Sequence, residues 1–279
     1  MNEDEGRAFP TSPLHLESVG EGEPELVLVH GFGASSHSWR KWVPFLKARH
    51  RLHLVDLMGF GKAGAPAGGD YTPRAQAARL VEVLRRIRGS SLVLVGHSLG
   101  AAVAVLAALR IRDEGGAIPL KGLILVSGAV YPQKLPPYLS MARSRPLGDL
   151  LFLPTPPRWA MKRGLRGIVH DPTTVDMEQV EGYRDPFRRF RRRRAVLRAA
   201  RQLDVAEGER LAARLRELVH PALLVWGRED PVIPLEMGER LSRELPRARL
   251  TVLDGVGHLP PEEAPEASME AVLEFLEGL

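Results

Sequence analysis

Residues 96–100 read Gly96-His97-Ser98-Leu99-Gly100, set between an apolar run from Ser91 to Val95 and a second from Ala101 to Leu109. The first run is short and rich in valine and leucine, as a buried strand is, and the second has the length of a helix. A serine on so tight a strand-to-helix turn is held in a strained backbone conformation. Such a turn needs residues without a Cβ two places before and two places after it. Gly96 and Gly100 meet that need. The turn lifts the Ser98 hydroxyl to the top of a sheet and aims the first amides of the next helix at the same space. Those are the surroundings of a nucleophile.

A serine hydroxyl attacks near neutral pH only if a base takes its proton and a third group orients that base. Of nine histidines, His258 follows the last apolar run, in Gly255-Val256-Gly257-His258, and precedes a helical stretch. That context puts it at the same sheet edge as Ser98. The carboxylate has to come from another strand end, and Trp226-Gly227-Arg228-Glu229-Asp230-Pro231 directly follows the run Ala222 to Trp226. Asp230 is the candidate; Glu229 is adjacent to it, and Asp254 lies four residues before His258. The run ending at Ser127 is followed by Gly128-Ala129 with no acid, which favours Asp230. The chain order Ser98, Asp230, His258 matches the order expected around a nucleophile elbow. A developing oxyanion also needs donors. The Leu99 amide is one, and the Phe32 amide in His30-Gly31-Phe32-Gly33 is the second, with Gly31 and Gly33 letting the backbone approach. His30 is expected to brace this loop through its ring.

Taken together, these residues resemble the α/β-hydrolase superfamily, specifically its lid-bearing serine branch of esterases, lipases, carbon–carbon bond hydrolases and perhydrolases. The resemblance spans nearly the whole chain. It comprises His30-Gly31-Phe32-Gly33 with Trp39 downstream, Asp56-Leu57-Met58-Gly59-Phe60-Gly61, the Ser98 elbow, Gly227-Arg228-Glu229-Asp230, and Gly257-His258 followed by Glu262-Glu263-Ala264-Pro265-Glu266. One departure is Ala63, where relatives often carry serine. The resemblance implies a carboxylesterase-like enzyme working through an acyl-enzyme, without a metal or organic cofactor. Serine rather than aspartate at the elbow separates it from epoxide hydrolases and haloalkane dehalogenases. Carbon–carbon hydrolysis, lipase and perhydrolase chemistry stay open, as does a ligand receptor that keeps the triad but does not turn over. Ala101 stands where carbon–carbon hydrolases often have another glycine, which ranks ester cleavage first.

The elements that must hold these groups are legible in outline. Apolar runs at Glu25 to His30, Arg51 to Asp56, Ser91 to Val95, Lys121 to Ser127, Ala222 to Trp226 and Arg249 to Asp254 are continuous, as parallel strands covered on both faces are. Helical stretches at Trp39 to Ala48, Pro73 to Ile87, Leu99 to Arg112, Pro234 to Leu245 and Pro265 to Leu276 alternate with them. The alternation predicts an α/β fold: a mostly parallel, doubly wound sheet, with Leu14 to Val19 as an antiparallel edge strand. Between Ser127 and His220 the alternation stops and proline and arginine accumulate. This predicts a helical lid over 131–205, inserted after a central strand between core segments 1–130 and 206–279. Its Tyr131, Tyr138, Leu151, Phe152, Trp159 and Met161, with Trp39 from the core, are the candidate lining of an apolar substrate pocket.

The net charge of +5 conceals an asymmetry. Residues 131–201 hold 16 Lys and Arg against 6 Asp and Glu, a balance of +10, so the remainder is at −5. The extreme is Arg188-Arg189-Phe190-Arg191-Arg192-Arg193-Arg194. Without interleaved aromatics or a nucleic-acid motif, the run reads as a helix packed through Phe187, Phe190, Leu197 and Ala200, on whose arc Arg193 and Arg194 intrude. No nucleic-acid partner is expected. Gly59-Phe60-Gly61-Lys62-Ala63-Gly64 has a GxGxxG form, but Ala65-Pro66-Ala67-Gly68-Gly69 follows instead of a helix, so no dinucleotide is expected. The acidic start lacks an apolar h-region and no stretch reads as a membrane span, so a cytoplasmic location is the expectation. With no cysteine there is neither a disulfide framework nor a thiolate metal site. Nothing specifies an oligomeric state.

Overall fold

Hydrophobicity is continuous along the central strands because both faces are covered, and alternate residues enter different cores. A computed structural model describes residues 13–87, 89, 91–132 and 137–279, apart from the side chains of Pro137, Tyr138 and Val205. Seven strands form one sheet: β1 (His15–Val19), β2 (Glu25–Val29), β3 (Leu52–Asp56), β4 (Leu92–His97), β5 (Leu120–Val126), β6 (Ala222–Gly227) and β7 (Ala248–Leu253). Their order is β1-β3-β2-β4-β5-β6-β7. The edge strand β1 runs antiparallel to β3, and every other pair is parallel.

One core takes Val27, Val29, Leu94, Leu125 and Leu224 against α2 (Pro73–Leu84) and α3 (Leu99–Asp113). The opposite core takes Leu26, Leu28, Val95, Val126 and Val225 with Trp39, Trp42 and the inner face of a C-terminal helix. The alanine-rich α3 is buried nearly all round, since its small side chains let it lie close on the strands. The expected helix from Trp39 to Ala48 is instead a 3₁₀ turn, Ser36–Trp39, and a single α-turn, α1 (Val43–Leu46). Pro44 has no amide to continue an earlier turn and sits where a new one begins.

Between β5 and β6 the chain leaves the sheet as a helical insertion: α4 (Pro137–Arg143), α5 (Leu147–Phe152), α6 (Arg158–Arg166), α7 (Met177–Arg184), α8 (Phe190–Arg201) and α9 (Val205–Ala212). After β6 come α10 (Leu235–Glu244), α11 (Pro260–Glu263) and α12 (Pro265–Glu277). The arginine run departs from expectation. The buried side of α8 is made by Arg192, Arg193, Ala195, Leu197, Ala199 and Ala200, whereas Phe190 is exposed. The Arg192 guanidinium donates to the Phe60 and Ala63 carbonyls, and Arg193 to those of Leu153 and Phe187. A long apolar stem with a donor fork satisfies buried carbonyls that an alanine would leave unpaired. Part of the run thus fastens the insertion to the loop after β3. Among the described residues no helix is long and apolar enough to cross a membrane, and no cluster of His, Asp and Glu could hold a metal.

Candidate active site

The strand order reverses between β2 and β4, the position at which open α/β sheets leave a crevice at their carboxyl ends. His30 to Gly33 leave β2 and Ser98 leaves β4 at that crevice. Ser98 has φ 52° and ψ −116°, a conformation that costs a side-chain-bearing residue about 1–3 kcal/mol. The flanking glycines allow it. A Cβ on Gly100 would lie 2.1 Å from the Val29 carbonyl oxygen, and one on Gly96 would lie 2.5 Å from the Gly100 oxygen. Both obstacles are backbone, so neither position tolerates alanine without moving a strand.

Three side chains meet at this point. His258 Nδ1 lies 2.8 Å from Asp230 Oδ2, and His258 Nε2 lies 3.1 Å from Ser98 Oγ. All three residues are buried. The second Asp230 oxygen accepts from the Val232 and Ile233 amides at 2.8 and 2.9 Å. Burial pushes the Asp230 carboxyl up, but the facing His258 ring and these amides outweigh it and hold it below the usual carboxylate range. An ionised Asp230 accepts from Nδ1–H, which leaves Nε2 as the bare nitrogen facing the serine hydroxyl. The rival acids are occupied elsewhere. Glu229 accepts from the Gly255 and Val256 amides, and Asp254 pairs with Arg228.

His30 braces its loop. Its Nδ1–H donates to the Gly31 carbonyl at 2.7 Å and its Nε2 accepts from the Leu57 amide at 3.1 Å, so the buried ring is neutral. Phe32 and Leu99 both line the cavity beside Ser98. Neither backbone amide has a hydrogen-bond partner among the described residues.

Two residues with no expected role hold His258 in place. His97, inside the elbow pentapeptide, donates from Nε2 to the His258 carbonyl at 2.8 Å. Glu263 accepts from the amides on either side of His258: Gly257 at 2.9 Å and Leu259 at 2.9 Å. It also accepts from the His170 amide of the insertion at 2.8 Å, while His258's own amide donates to the Ile168 carbonyl. Tyr183 on α7 donates to buried Glu262, which Arg40 pairs from the other side. The insertion and the loop that carries His258 are therefore one hydrogen-bonded unit. Glu263 stands five residues beyond His258 in the Glu262-Glu263-Ala264-Pro265-Glu266 stretch of the resemblance, which attached no role to it.

Burial lowers the His97 imidazole from 6.5 to about 3, with His258 adding to the effect. Unfolded, this ring titrates near 6.5, so between those values the unfolded chain binds the extra proton. Its contribution to stability is complete above pH ~6.5 and drains away as the pH falls. Urea unfolding at a series of pH values should show stability dropping below about pH 6, with His97→Gln removing one proton's share of the slope, ~1.4 kcal/mol per pH unit. An unchanged slope in that variant assigns the proton elsewhere.

The cavity over Ser98 encloses about 140 Å³. Ala102 and Leu106 of α3 and Val232 and Ile233 after β6 form its floor, while Leu139, Leu203 and Leu211 come from the insertion. Tyr131 lines it, with its hydroxyl turned away to Glu244. The other expected lining residues are corrected. Trp39 is fully buried on the opposite face of the sheet, because the 3₁₀ turn points it under β2 and β4. Phe152 packs on Leu139 and Leu197, and Met161 on Leu165 and Val169, inside the insertion. Trp159 and Leu151 are exposed, and the Tyr138 side chain lies outside the described residues.

The sequence profile of the alpha/beta hydrolase family matches residues 26–271. The chain is 32% identical over 259 residues to the uncharacterized hydrolase YugF of Bacillus subtilis, covering 91% of this chain and 90% of that protein. It is 30% identical to a 2-hydroxy-6-oxononadienedioate/2-hydroxy-6-oxononatrienedioate hydrolase of Burkholderia vietnamiensis, covering 94% and 90%. The crystal structure of an alpha/beta hydrolase fold protein from Burkholderia ambifaria superposes with a TM-score of 0.81 at 28% identity, over 94% of this chain and 93% of that one.

Proposed function

We propose that this chain, which belongs to the alpha/beta hydrolase family, is a serine hydrolase that cleaves small apolar carboxylic esters. The observation that carries this reading is the relay from Asp230 Oδ2 through His258 to Ser98 Oγ, at 2.8 and 3.1 Å. Ser98 Oγ attacks the ester carbonyl as His258 Nε2 takes its proton. The oxyanion that forms is held by the Phe32 and Leu99 amides, which no group among the described residues competes for. His258 then returns the proton to the departing alkoxide, and Ser98 is left acylated. Water, deprotonated by the same nitrogen, repeats the sequence and releases the acid. Asp230 stays ionised and keeps the imidazole in the tautomer that both steps need.

The cavity sets the size of the substrate. At ~10–15 Å³ per water on this scale, about 140 Å³ holds roughly ten waters, enough for a short acyl chain. With p-nitrophenyl esters, kcat/KM should be highest from acetate to hexanoate and fall at least ~10-fold by laurate, because the longer chain has no apolar wall to bury against. A profile rising through laurate contradicts this. Repeated turnover in the same assay also separates an enzyme from a ligand receptor, which would stop after one acylation.

One observation favours a second reading. Arg143 lines the cavity, and one of its nitrogens is held by the Leu203 carbonyl at 2.6 Å, leaving the rest of the guanidinium for a carboxylate. The Burkholderia vietnamiensis relative is named for an oxo dioate substrate. Faster carbon–carbon cleavage of such a dioate than hydrolysis of any ester in the panel selects that chemistry.

A further inference from the structure

The buried part of the arginine run has a task that fastening alone does not account for. Arg192 of α8 is 7% exposed, and its guanidinium donates to the Phe60 and Ala63 carbonyls at 3.0 and 2.9 Å. The inner half of that loop is fixed from the core: the Met58 amide and carbonyl both bond Gln76 of α2, at 3.1 and 2.8 Å. No side chain other than Arg192 bonds the Phe60 or Ala63 backbone among the described residues. The outer half of the loop is therefore held from the insertion.

Phe60 in turn bears on the peptide unit that carries one oxyanion donor. Its ring meets the Phe32 ring edge-on at 5.5 Å and the His30 ring edge-on at 5.6 Å. His30 Nδ1–H bonds the Gly31 carbonyl, the opposite end of the peptide unit whose N–H belongs to Phe32. Because that unit is planar, whatever fixes the Gly31 oxygen fixes the direction of the Phe32 N–H. A hydrogen bond accepted by the carbonyl also polarises the amide at the other end. The packing leaves little slack. The gap that Phe60 and Arg192 share with Gly33, Pro186 and Phe187 is about 10 Å³, room for one water at most. A shift of Phe60 is thus passed on to His30 and Phe32 and not absorbed.

We infer that Arg192 is a positioning residue for the oxyanion hole: by holding Phe60 against His30 and Phe32, it aims the Phe32 amide at the substrate carbonyl oxygen. This role presupposes that Ser98 forms an acyl-enzyme. It gives the insertion a part in the chemistry beyond enclosing the cavity, which neither Arg192 nor Phe60 lines. Acylation and deacylation use the same hole, so a misdirected amide slows both together and leaves KM in place. A helix that merely closed over the substrate would act on KM.

The test is steady-state hydrolysis of p-nitrophenyl butyrate, with inhibition by a trifluoromethyl ketone of matching chain length, whose hemiketal oxygen would sit in the hole. Arg192→Met should lower kcat about tenfold or more, with KM within about twofold and the inhibition constant raised in parallel with the fall in kcat. Arg192→Lys keeps a charged donor for the carbonyls and should come within about threefold of the parent. Phe60→Leu tests the same link without unpairing a carbonyl. It should lose a similar factor, and the double variant Arg192→Met, Phe60→Leu should fall no more than about threefold below the weaker single variant, because both act on one contact. Arg201→Met is the control on the same helix: its hydrogen bonds, to Asp149 and the Ser144 carbonyl, stay within the insertion, and kcat should remain within about twofold of the parent. Urea unfolding of each variant shows that the folded fraction is the same in the assay. Parent-like kcat in both Arg192→Met and Phe60→Leu, a raised KM with unchanged inhibition, losses that multiply in the double variant, or an equal loss in Arg201→Met overturns the inference and leaves the role of Ser98 standing. A Ser98→Ala variant as active as the parent overturns both.

Discussion

Ser98→Ala lowers kcat for p-nitrophenyl butyrate by on the order of 10⁴-fold or more and leaves the melting temperature near the parent's. The two halves of this expectation have different causes. Alanine keeps the Cβ that already sits at φ 52°, so the elbow's strain is unchanged and the fold has nothing new to absorb. The attacking oxygen is gone, and what remains is the oxyanion donors and the cavity, which together retain only a residual rate over water. Activity in this variant within tenfold of the parent removes Ser98 from the chemistry. A collapse in melting temperature would make the loss uninformative, so thermal unfolding is measured alongside.

The second large effect belongs to the residue that never touches the substrate. Asp230→Asn should lower kcat by about 10³–10⁴-fold with KM little changed. The amide keeps an oxygen for the Val232 and Ile233 amides, so the loop after β6 stays in place. Its nitrogen, however, turns a donor toward His258 Nδ1 and drives the ring to the tautomer with hydrogen on Nε2. The base then presents a proton to Ser98 when it should accept one. Glu229→Gln is the matched control, because that carboxylate only accepts from the Gly255 and Val256 amides, a task an amide oxygen also performs. A loss in Glu229→Gln equal to that in Asp230→Asn would reassign the acid.

The residues to which we assign the chemistry were legible because each sits next to a local signal. A glycine-flanked serine between strand and helix, an acid just past one strand and a histidine just past another are set by strand ends, and strand ends are marked by apolar runs. The cavity was not legible in the same way. Its walls come from helices of the insertion, whose packing follows no period of two and depends on which faces meet after folding. Trp39 shows the cost of ignoring direction: it stands in the right motif, yet a 3₁₀ turn sends it to the far side of the sheet. Arg192 and Arg193 show another: charge predicts exposure only until a buried carbonyl needs a donor. The supports of His258, His97 and Glu263, lie inside motifs that could be read, but their roles come from amides and carbonyls, which carry no side-chain signature.

The most direct test of the central claim is to treat the protein with a fluorophosphonate ester, which phosphonylates only a serine made nucleophilic by its surroundings, and to locate the adduct by intact mass and peptide mapping. The expected result is a single adduct on Ser98, formed quickly by the parent and hardly at all by His258→Ala. An unmodified protein, or an adduct on any other residue, would contradict it.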